Sequence, residues 1–394
     1  MSRSTPQVLL VRGHHPTVWG LRAWERLGPR YDVRLMVTGS PRYDVGALNL
    51  PRVPVKALRD RLPGGPAGDA LALALRDRVL KPDAAFGSAD IVHAEELSLW
   101  FAAQAARLKR KLGYKLVLTV WETIPLLDAF RSPHARAFRK DTLAHADLFL
   151  AASRRAFDGL RLEGVPEEKI RLTYPGIDTA HFSVPPATGV DEHVILSPGR
   201  LEWEKGHHDV LRALAALRRG LVPAPPQAVE RMRLVLVGSG PERERLGQHA
   251  AELGVADRVE FASVPYDDMP ALYARASAMV LASLPRSGCT LYPGDIPRCF
   301  WEEQFGMVIA ESMAAGLPLI LASSGAIPEV AGPRADYFAP GDWMAIASHL
   351  AEGPLSRAPA TRIEHEPERI ATYSLTAAAQ RLTAAYDELL SASR

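Results

Sequence analysis

Short apolar runs alternate with amphipathic stretches along the whole chain of 394 residues. In the first half, continuous apolar or β-branched runs predict buried strands. These predicted strands cover residues 7–11, 31–37, 90–93, 115–120, 148–151 and 171–174. Stretches with helical periodicity lie between them, at residues 20–27, 70–80, 97–112 and 135–144. Such repetition of strand and helix predicts an α/β domain built on a parallel sheet.

The same alternation starts again after residues 183–191, which are polar, aperiodic and Pro-containing and are therefore interpreted as a linker. Predicted strands follow at residues 193–197, 233–237, 259–261, 279–281 and 317–321. Predicted helices cover residues 208–218, 242–253, 269–276, 308–315, 343–352 and 375–390. We therefore expect two doubly wound α/β domains, at residues 1–186 and 187–374, with a closing helix in residues 375–394. Ligands of such sheets bind outside the carboxyl ends of the strands, so chemistry is expected in a cleft between the domains.

Amino-acid composition limits the class of protein but does not indicate which reaction it catalyses. The chain is 47% apolar and 23% charged, with a net charge of +2, which does not favour nucleic-acid binding by bulk electrostatics. Two cysteines, Cys289 and Cys299, make no disulfide framework and fit free thiols in a reducing compartment. The apolar run near the start is too short for a signal peptide, and no stretch reaches the roughly 20 apolar residues of a membrane span. We expect a cytoplasmic protein.

The strongest chemical signal lies at residues 303–318, where two carboxylates stand eight positions apart. Glu303 is predicted in a loop and Glu311 on a helix that begins near Met307. Gly306 would let the backbone approach a ligand, and the free N–H groups of the helix start suit a diphosphate. Carboxylates accept hydrogen bonds from sugar hydroxyls. An acidic first helical turn is the simpler interpretation of this stretch taken alone.

A second signal follows the strand predicted at 193–197, where Arg200 and Lys205 lie in one loop. Arg200 can make a forked contact with a phosphate, and Lys205 can supply a point charge. Both charges would gain value as a leaving diphosphate becomes more negative in the transition state. In isolation, two solvated surface cations would explain the pair as well.

Taken together, the motifs resemble retaining glycosyltransferase family 4, which has the GT-B fold of two Rossmann-like domains facing across a cleft. The resemblance rests on G-R-L-x-x-x-K-G at 199–206, V-G-S-G-P at 237–241 and E-x-F-G-x-V-x-x-E-x-M-A-x-G-x-P at 303–318. The segments at 174–182 and 324–330 and the closing helix resemble those of the family as well. The match covers about half of the chain, residues 174–390, whereas the N-terminal half matches in pattern more than in letters.

The resemblance implies roles for individual residues. Arg200 and Lys205 would bind the donor diphosphate, Glu303 would contact the donor sugar and Glu311 would hold the ribose. Further donor contacts are implied for Gly13, Gly238, Val264, Phe305, Gly306, Met307 and Val308. The N-terminal domain would bind the acceptor, and the closing helix would pack back on it.

The chain departs from the family at a position after the strand predicted at 115–120. Many relatives carry a histidine there that touches the donor sugar, whereas this chain has Trp121. Acceptor-side candidates are therefore Trp121 itself, His14, His93 and Glu122. For His93 a structural role at the edge of the core is the competing interpretation. His14 and His15 are adjacent and would point to opposite sides, so no metal site is expected.

Two further features are left open by the sequence. Residues 97–112, ending in Lys109, Arg110 and Lys111, and residues 130–140, with Arg131, Arg136, Arg139 and Lys140, are basic and amphipathic. They predict either contact with an anionic membrane surface or solvated helix faces. Residues 284–302 form a long loop before Glu303 that could shape a substrate pocket.

The expected reaction is metal-independent transfer of a sugar, with retention, from a UDP- or GDP-sugar to an acceptor hydroxyl, without a cofactor. Arg200 and Lys205 would replace a divalent ion, since the sequence has no Asp-x-Asp motif. The acceptor would be a glycan, a lipid-linked sugar or a small molecule. Alternatives are a nucleotide-sugar 2-epimerase of the same fold and a non-catalytic nucleotide-sugar-binding subunit. Replacing Lys205 or Glu303 by alanine is expected to lower the rate far more than the stability.

Overall fold

The computed structural model describes residues 5–127, 133–285 and 301–391, which belong to two compact units. The first unit is Met1–Ile177 together with Ser374–Arg394, and the second is Asp178–Tyr373. The chain therefore passes from the first unit to the second between Ile177 and Asp178, and returns between Tyr373 and Ser374. Residues 183–191, interpreted above as a linker, lie within the second unit.

The first unit is built on a parallel sheet of seven strands among the described residues, in the order β3-β2-β1-β4-β5-β6-β7. The strands are β1 Gln7–Leu10, β2 Asp32–Val37, β3 Arg52–Pro54, β4 Ile91–Glu95, β5 Lys115–Val120, β6 Leu148–Ala151 and β7 Ile170–Leu172. The helices are α1 Val18–Leu21, α2 Gly65–Ala74, α3 Pro82–Phe86, α4 Trp100–Leu112, α5 Pro133–His145 and α6 Arg154–Leu162.

The second unit has six parallel strands among the described residues, in the order β10-β9-β8-β11-β12-β13. They are β8 His193–Pro198, β9 Met232–Val237, β10 Val259–Ala262, β11 Ala276–Leu281, β12 Leu319–Ala322 and β13 Asp336–Phe338. The helices are α7 Thr179–Phe182, α8 His207–Arg218, α9 Pro226–Glu230, α10 Arg243–Glu252, α11 Met269–Arg275, α12 Met307–Ala314, α13 Ile327–Ala331, α14 Trp343–Glu352 and α15 Pro367–Thr372. The closing helix α16, Leu375–Ser391, belongs to the first unit.

Burial on both faces explains why the central strands are continuously apolar. In β1, Leu9 packs in one hydrophobic cluster while Val8 and Leu10 pack in the cluster on the other side of the sheet, which includes α16. All six residues of β8 and all six of β11 are buried. Helices thus cover both faces of each sheet, as the alternation of strand and helix predicts.

Each sheet reverses its direction of growth at one place. The chain moves outward from β1 to β3 and then restarts at β4 beside β1; likewise it moves from β8 to β10 and restarts at β11 beside β8. Ligands of doubly wound sheets bind at such switch points, outside the carboxyl ends of the strands. Ligand-binding residues are therefore expected in the loops that follow β8 and β11 in the second unit, and in those that follow β1 and β4 in the first.

Several element boundaries differ from the sequence-based expectation. The helix predicted over 70–80 is instead α2, Gly65–Ala74, which starts with Pro66 in its first turn, where the missing N–H of proline does no harm. It stops before Arg76, which has φ of +57°. The helix predicted over 20–27 is α1 followed by a 3₁₀ turn at Arg22–Leu27. The edge strands β3 and β13 were not predicted. Within the described residues, no helix combines the length and the hydropathy that crossing a bilayer requires.

Tyr386 on α16 ties the closing helix to the first sheet. Its hydroxyl accepts a hydrogen bond from Trp24 Nε1 at 3.0 Å and lies 2.6 Å from His93 Nδ1, and the side chain is fully buried. Replacing Tyr386 by phenylalanine is expected to lower the free energy of unfolding by about 1–3 kcal/mol, because two buried ring nitrogens lose their partner. Urea unfolding measures this loss. The half-exposed Tyr43 provides the control, and an equal effect of Tyr43→Phe would contradict the assignment.

Candidate active site

Lys205 and Glu303 meet at the switch point of the second sheet. Lys205 Nζ lies 2.8 Å from Glu303 Oε2 and 3.1 Å from Oε1, across 98 positions of sequence. Ser283, just after β11, donates to Glu303 Oε2 at 2.7 Å. The Lys205 ammonium also lies 4.2 Å from the centre of the Trp301 ring. Both charged side chains are almost buried, 11% and 7% exposed, so each depends on the other for charge compensation.

Two glycines allow the loops around this ion pair to approach closely. Gly206 has φ of +67°, and a Cβ there would lie 1.9 Å from the carbonyl oxygen of Ala282. Gly238 follows β9, and a Cβ there would lie 2.0 Å from the carbonyl oxygen of Gly199. Both contacts are far shorter than any real side chain tolerates. The two glycines therefore allow the loop that carries Arg200 and Lys205 to pack directly against the backbone that follows β9 and β11.

Arg200 is the more accessible cation of the loop. Its guanidinium pairs with Glu202 and, at 3.2 Å, with Glu204, and the side chain is half exposed. Burial, followed by the hydrogen bond with Glu202, raises the pKa of Glu204. Arg200 is thus oriented by two carboxylates of its own loop while keeping an open side toward solvent.

His207, at the start of α8, fixes the backbone of this loop and was not predicted as a site residue. Its Nδ1 lies 2.8 Å from Ser197 Oγ, and its Nε2 lies 3.1 Å from the carbonyl oxygen of Arg200. Burial lowers the pKa of His207 to about 4. The ring is therefore neutral at physiological pH and acts as a hydrogen-bonded spacer between β8 and the loop.

The helix expected near Met307 is α12, and no side chain caps its N-terminus with a hydrogen bond. Gly306 takes the left-handed conformation, with φ of +81°, and supplies no capping side chain. Met307 and Val308 are half-buried, whereas Phe305 is buried against Tyr373, with ring centroids 5.3 Å apart. Phe305 thus contributes backbone rather than a side chain to the surface here. Val264, two residues after β10, is half-buried on the same carboxyl edge of the sheet.

Glu311 lies on α12 and is held by a tyrosine. Tyr273, on α11, donates to Glu311 Oε2 at 2.8 Å, and both side chains are buried. Burial raises the pKa of Glu311 to about 7, against an ordinary value of 4.5. The carboxyl group therefore changes charge near neutral pH, while Tyr273 fixes its orientation.

This pKa predicts an unusual pH dependence of stability. A carboxyl group whose folded-state pKa exceeds its unfolded value stabilises the fold below the unfolded value, and that contribution is lost as pH rises through the folded value. Glu311→Gln keeps an acceptor for Tyr273 but cannot ionise. We expect the variant to gain stability relative to wild type, by up to about 3 kcal/mol, between pH 5 and pH 8. Urea unfolding across this range measures the difference. A difference that stays constant with pH, as expected for the exposed control Glu244→Gln, would refute the assignment.

A cavity of about 460 Å³ lies at the switch point of the first sheet. The loop after β1, which includes Gly13 and His14, forms one wall, and Glu95 at the end of β4 forms another. Phe101 at the start of α4 supplies apolar surface. His14 is not a free group: its Nε2 lies 2.5 Å from Asp77 Oδ2 and its Nδ1 lies 2.7 Å from Thr38 Oγ1. These two hydrogen bonds fix the orientation of His14 in the cavity wall.

Arg12 is a buried cation in the lining of this cavity and was not predicted as a site residue. Its guanidinium donates to the carbonyl oxygen of His93 at 2.8 Å and lies 3.3 Å from Glu95 Oε1. The Trp24 ring centre is 5.2 Å away. The Arg12–Glu95 pair therefore gives the largely apolar cavity a charged, hydrogen-bonding wall.

The other acceptor-side candidates, His93, Trp121 and Glu122, are not among the residues that line this cavity. His93 is fully buried, with Nδ1 bonded to Tyr386 and Nε2 lying 2.7 Å from Thr119 Oγ1, and burial holds its pKa well below the ordinary value. This structural placement does not fit the substrate-binding role considered for His93. Trp121 donates from Nε1 to Glu95 at 3.1 Å, so it reaches the cavity through that carboxylate. Glu122 does not line this cavity, and its carboxylate accepts from the N–H groups of the two following residues.

The structure thus brings Lys205 and Glu303 into direct contact, keeps Arg200 in the same loop and places Glu311 on the adjoining helix. Ser283, His207 and Tyr273 support these groups, and no sequence motif marked them. Among the described residues, no cluster of three or more histidine, cysteine, aspartate or glutamate side chains could hold a metal ion. Cys289, Cys299 and Arg131 lie outside the described residues, as does most of the 284–302 loop.

Comparison with protein families covers most of the chain. Residues 7–181 match the family described as "Glycosyltransferase Family 4", and residues 181–357 match "Glycosyl transferases group 1". The boundary between the two matches falls close to the point where the chain enters the second unit. All the second-unit site residues named above lie within the second match.

Individual relatives are more distant. The chain is 28% identical over 272 residues to a GDP-mannose-dependent alpha-(1-6)-phosphatidylinositol monomannoside mannosyltransferase of Mycolicibacterium smegmatis, covering 60% of this chain and 66% of the relative. It is 27% identical over 310 residues to a D-inositol 3-phosphate glycosyltransferase of Salinispora arenicola, covering 69% of this chain and 63% of the relative. The chain therefore spans less than two thirds of the length of these curated relatives.

Solved structures share the fold over nearly the whole chain. Anabaena HepE in complex with UDP and glucose superposes with a TM-score of 0.70 at 19% identity, over 98% of this chain and all of that one. Sucrose-phosphate synthase from Thermosynechococcus elongatus gives a TM-score of 0.69 at 18% identity, over 98% and 99% of the two chains. At such identities the likeness shows the fold alone, which is the GT-B fold of two Rossmann-like domains.

Proposed function

Because the chain belongs to glycosyltransferase family 4, we propose that it transfers a sugar from a nucleotide-diphosphate sugar to an acceptor hydroxyl. The observation that carries this proposal is the buried contact of Lys205 with Glu303 at the switch point of the second sheet. A cation and a carboxylate side by side offer one group to a phosphate and the other to a sugar hydroxyl. The nucleotide is UDP or GDP in this proposal, and no cofactor is required.

Donor binding would use the second unit. Lys205 and Arg200 contact the diphosphate, and the first-turn N–H groups of α12 add hydrogen bonds to phosphate oxygens. Glu303 accepts hydrogen bonds from the transferred sugar, and Glu311 accepts them from the ribose. Gly238 and Val264 border the nucleobase. Because Glu202 and Glu204 already pair with the Arg200 guanidinium, a diphosphate would bind the guanidinium in addition to these carboxylates and would not displace them.

Catalysis would come mainly from charge stabilisation. As the sugar–phosphate bond breaks, negative charge grows on the diphosphate, and fixed cations in a partly dry site stabilise it more than they stabilise the bound donor. Lys205 and Arg200 supply this charge, so we propose that turnover needs no divalent ion. Family membership supports retention of the anomeric configuration, with the leaving phosphate assisting removal of the acceptor proton.

The first-unit cavity is our proposed acceptor site. Its charged wall, formed by Arg12 and Glu95, can donate to and accept from hydroxyl groups, while Phe101 offers a face for a sugar or polyol ring. The matched relatives are named for inositol-containing acceptors, and this chemistry suits such a polar ring. Gly13 leaves room beside the ring of Phe101.

The test is release of nucleoside diphosphate from UDP- and GDP-sugars, with and without an acceptor panel, and with EDTA. We expect release that survives EDTA and accelerates with the right acceptor, and a product whose anomeric protons show retention by NMR. A new sugar isomer formed without acceptor would favour the epimerase. Binding without any turnover would favour the non-catalytic subunit. Loss of activity in EDTA that magnesium restores would contradict metal independence.

A further inference from the structure

A row of aromatic rings leads outward from the first-unit cavity. Inside the cavity, the ring of Phe101 meets that of His14 edge to face, with centroids 5.5 Å apart. His15, the next residue, also lines the cavity, and its ring centroid lies 6.5 Å from that of Tyr43. Tyr43 in turn meets Trp19 edge to face at 5.9 Å. The row therefore continues the cavity wall onto the surface of the first unit.

The outer end of this row is open to solvent. Trp19 is 36% exposed and Tyr43 37%, whereas Phe101 at the inner end is 9% exposed. Large aromatic side chains are usually buried on folding, and adjacent exposed ones mark a surface that binds another molecule. Because the row is continuous with the cavity proposed for the acceptor, we expect its occupant to be a further part of the acceptor.

The polar groups beside the outer rings suit a sugar better than a wholly apolar molecule. Ser40 and Arg42 line the cavity next to Tyr43 and are exposed. Partial burial, followed by the positive charge of Arg42, lowers the pKa of His15 from its ordinary value of 6.5, and a neutral imidazole offers one donor and one acceptor. A sugar has C–H groups on its ring faces and hydroxyl groups around its edge, so it can stack on the aromatic rings and hydrogen-bond to these neighbours. A wholly apolar partner would leave the neighbours without hydrogen bonds.

We propose that Trp19 and Tyr43 form a second acceptor subsite, which binds the next sugar of a glycan acceptor while the cavity binds the sugar that is glycosylated. This inference rests on the proposed function, because it extends the acceptor site of that reaction. The acceptor is then an oligosaccharide, or a molecule that carries a glycan of at least two sugars. A single sugar would occupy the cavity alone and leave both outer rings in water.

Binding to an array of mono-, di- and trisaccharides of glucose, galactose, mannose and N-acetylglucosamine tests the subsite without any transfer assay. We expect the full chain to bind one disaccharide at least about tenfold more tightly than its component monosaccharides, because the outer rings stack on the second sugar. Trp19→Ala/Tyr43→Ala should abolish this advantage. Leu162→Ala, at a leucine that is 75% exposed on α6, should retain it.

Trp19→Phe/Tyr43→Phe guards against an alanine variant that misfolds, because it keeps both ring faces and should retain most of the advantage. A wild type that binds no disaccharide more tightly than its component sugars would overturn the proposal. Loss of the advantage in Leu162→Ala, or loss in the phenylalanine variant as complete as in the alanine variant, would also overturn it.

Donor hydrolysis, measured on the same wild-type protein, separates this inference from the proposed function. A protein that hydrolyses a nucleotide-sugar but shows no disaccharide advantage would contradict the second subsite alone. A protein that shows the advantage but neither hydrolyses nor transfers any donor would contradict the proposed transfer, while supporting glycan binding by the outer rings.

Discussion

Replacing Lys205 by methionine is expected to lower kcat by about 10²- to 10³-fold, the range found when one preorganised charge-stabilising group is removed from an active site. The ammonium group lies against Glu303 and the Trp301 ring, in surroundings that exclude most water. A cation in such a place interacts more strongly with a developing negative charge than one at the surface. Methionine retains much of the length and apolar volume of lysine without the charge.

The control is Lys169→Met, because Lys169 is exposed and lies in the first unit. Donor hydrolysis and acceptor-dependent transfer should both fall in Lys205→Met and remain unchanged in Lys169→Met. A Lys205→Met enzyme with wild-type kcat would remove this residue from the catalytic machinery.

The double variant Lys205→Met/Glu303→Gln is expected to be more stable than either single variant and just as inactive. Each single substitution leaves one nearly buried charge without its partner, which should lower the free energy of unfolding by about 3 kcal/mol. The double variant has no uncompensated charge at the site, so most of that stability should return. Its activity should not return, because both of the groups proposed to contact the donor are absent.

Urea unfolding and initial rates on all three variants separate the two effects. This expectation replaces the simpler one drawn from sequence, that losing either residue affects rate far more than stability. The difference arises because the sequence does not reveal that Lys205 and Glu303 compensate each other. If the double variant loses as much stability as the two single variants lose together, Lys205 and Glu303 do not stabilise each other through their ion pair.

Elements with strong apolar patterns were predictable from the sequence, and elements that depend on tertiary contacts were not. β5, β6 and α14 have the predicted limits, and Ser153 caps α6 by accepting from the N–H of Ala156 at 3.1 Å. β13 was missed because it is a three-residue edge strand without a continuous apolar run. β11 begins at Ala276, three residues earlier than predicted, because the polar Ser277 interrupts its apolar run although the fold buries it.

The candidate site shows the same division. Motifs identified Arg200, Lys205, Glu303 and Glu311, since family motifs mark the groups that would touch the donor. The supporting groups Ser283, His207 and Tyr273 have no motif. Their roles depend on distances to partners as much as 38 positions away, as for Tyr273 and Glu311. His93 was an acceptor-side candidate for which the sequence favoured a structural role, and its partners Tyr386 and Thr119 make it part of the core.

The central claim is that Lys205 and Arg200 bind a diphosphate at the switch point of the second sheet. Calorimetric titration of wild type and Lys205→Met with a nucleoside diphosphate and with the bare nucleoside tests it most directly, using uridine and guanosine compounds in turn. We predict that wild type binds the diphosphate much more tightly than the nucleoside, and that Lys205→Met weakens only diphosphate binding, by at least about tenfold. Equal diphosphate affinity in the two proteins would contradict the account.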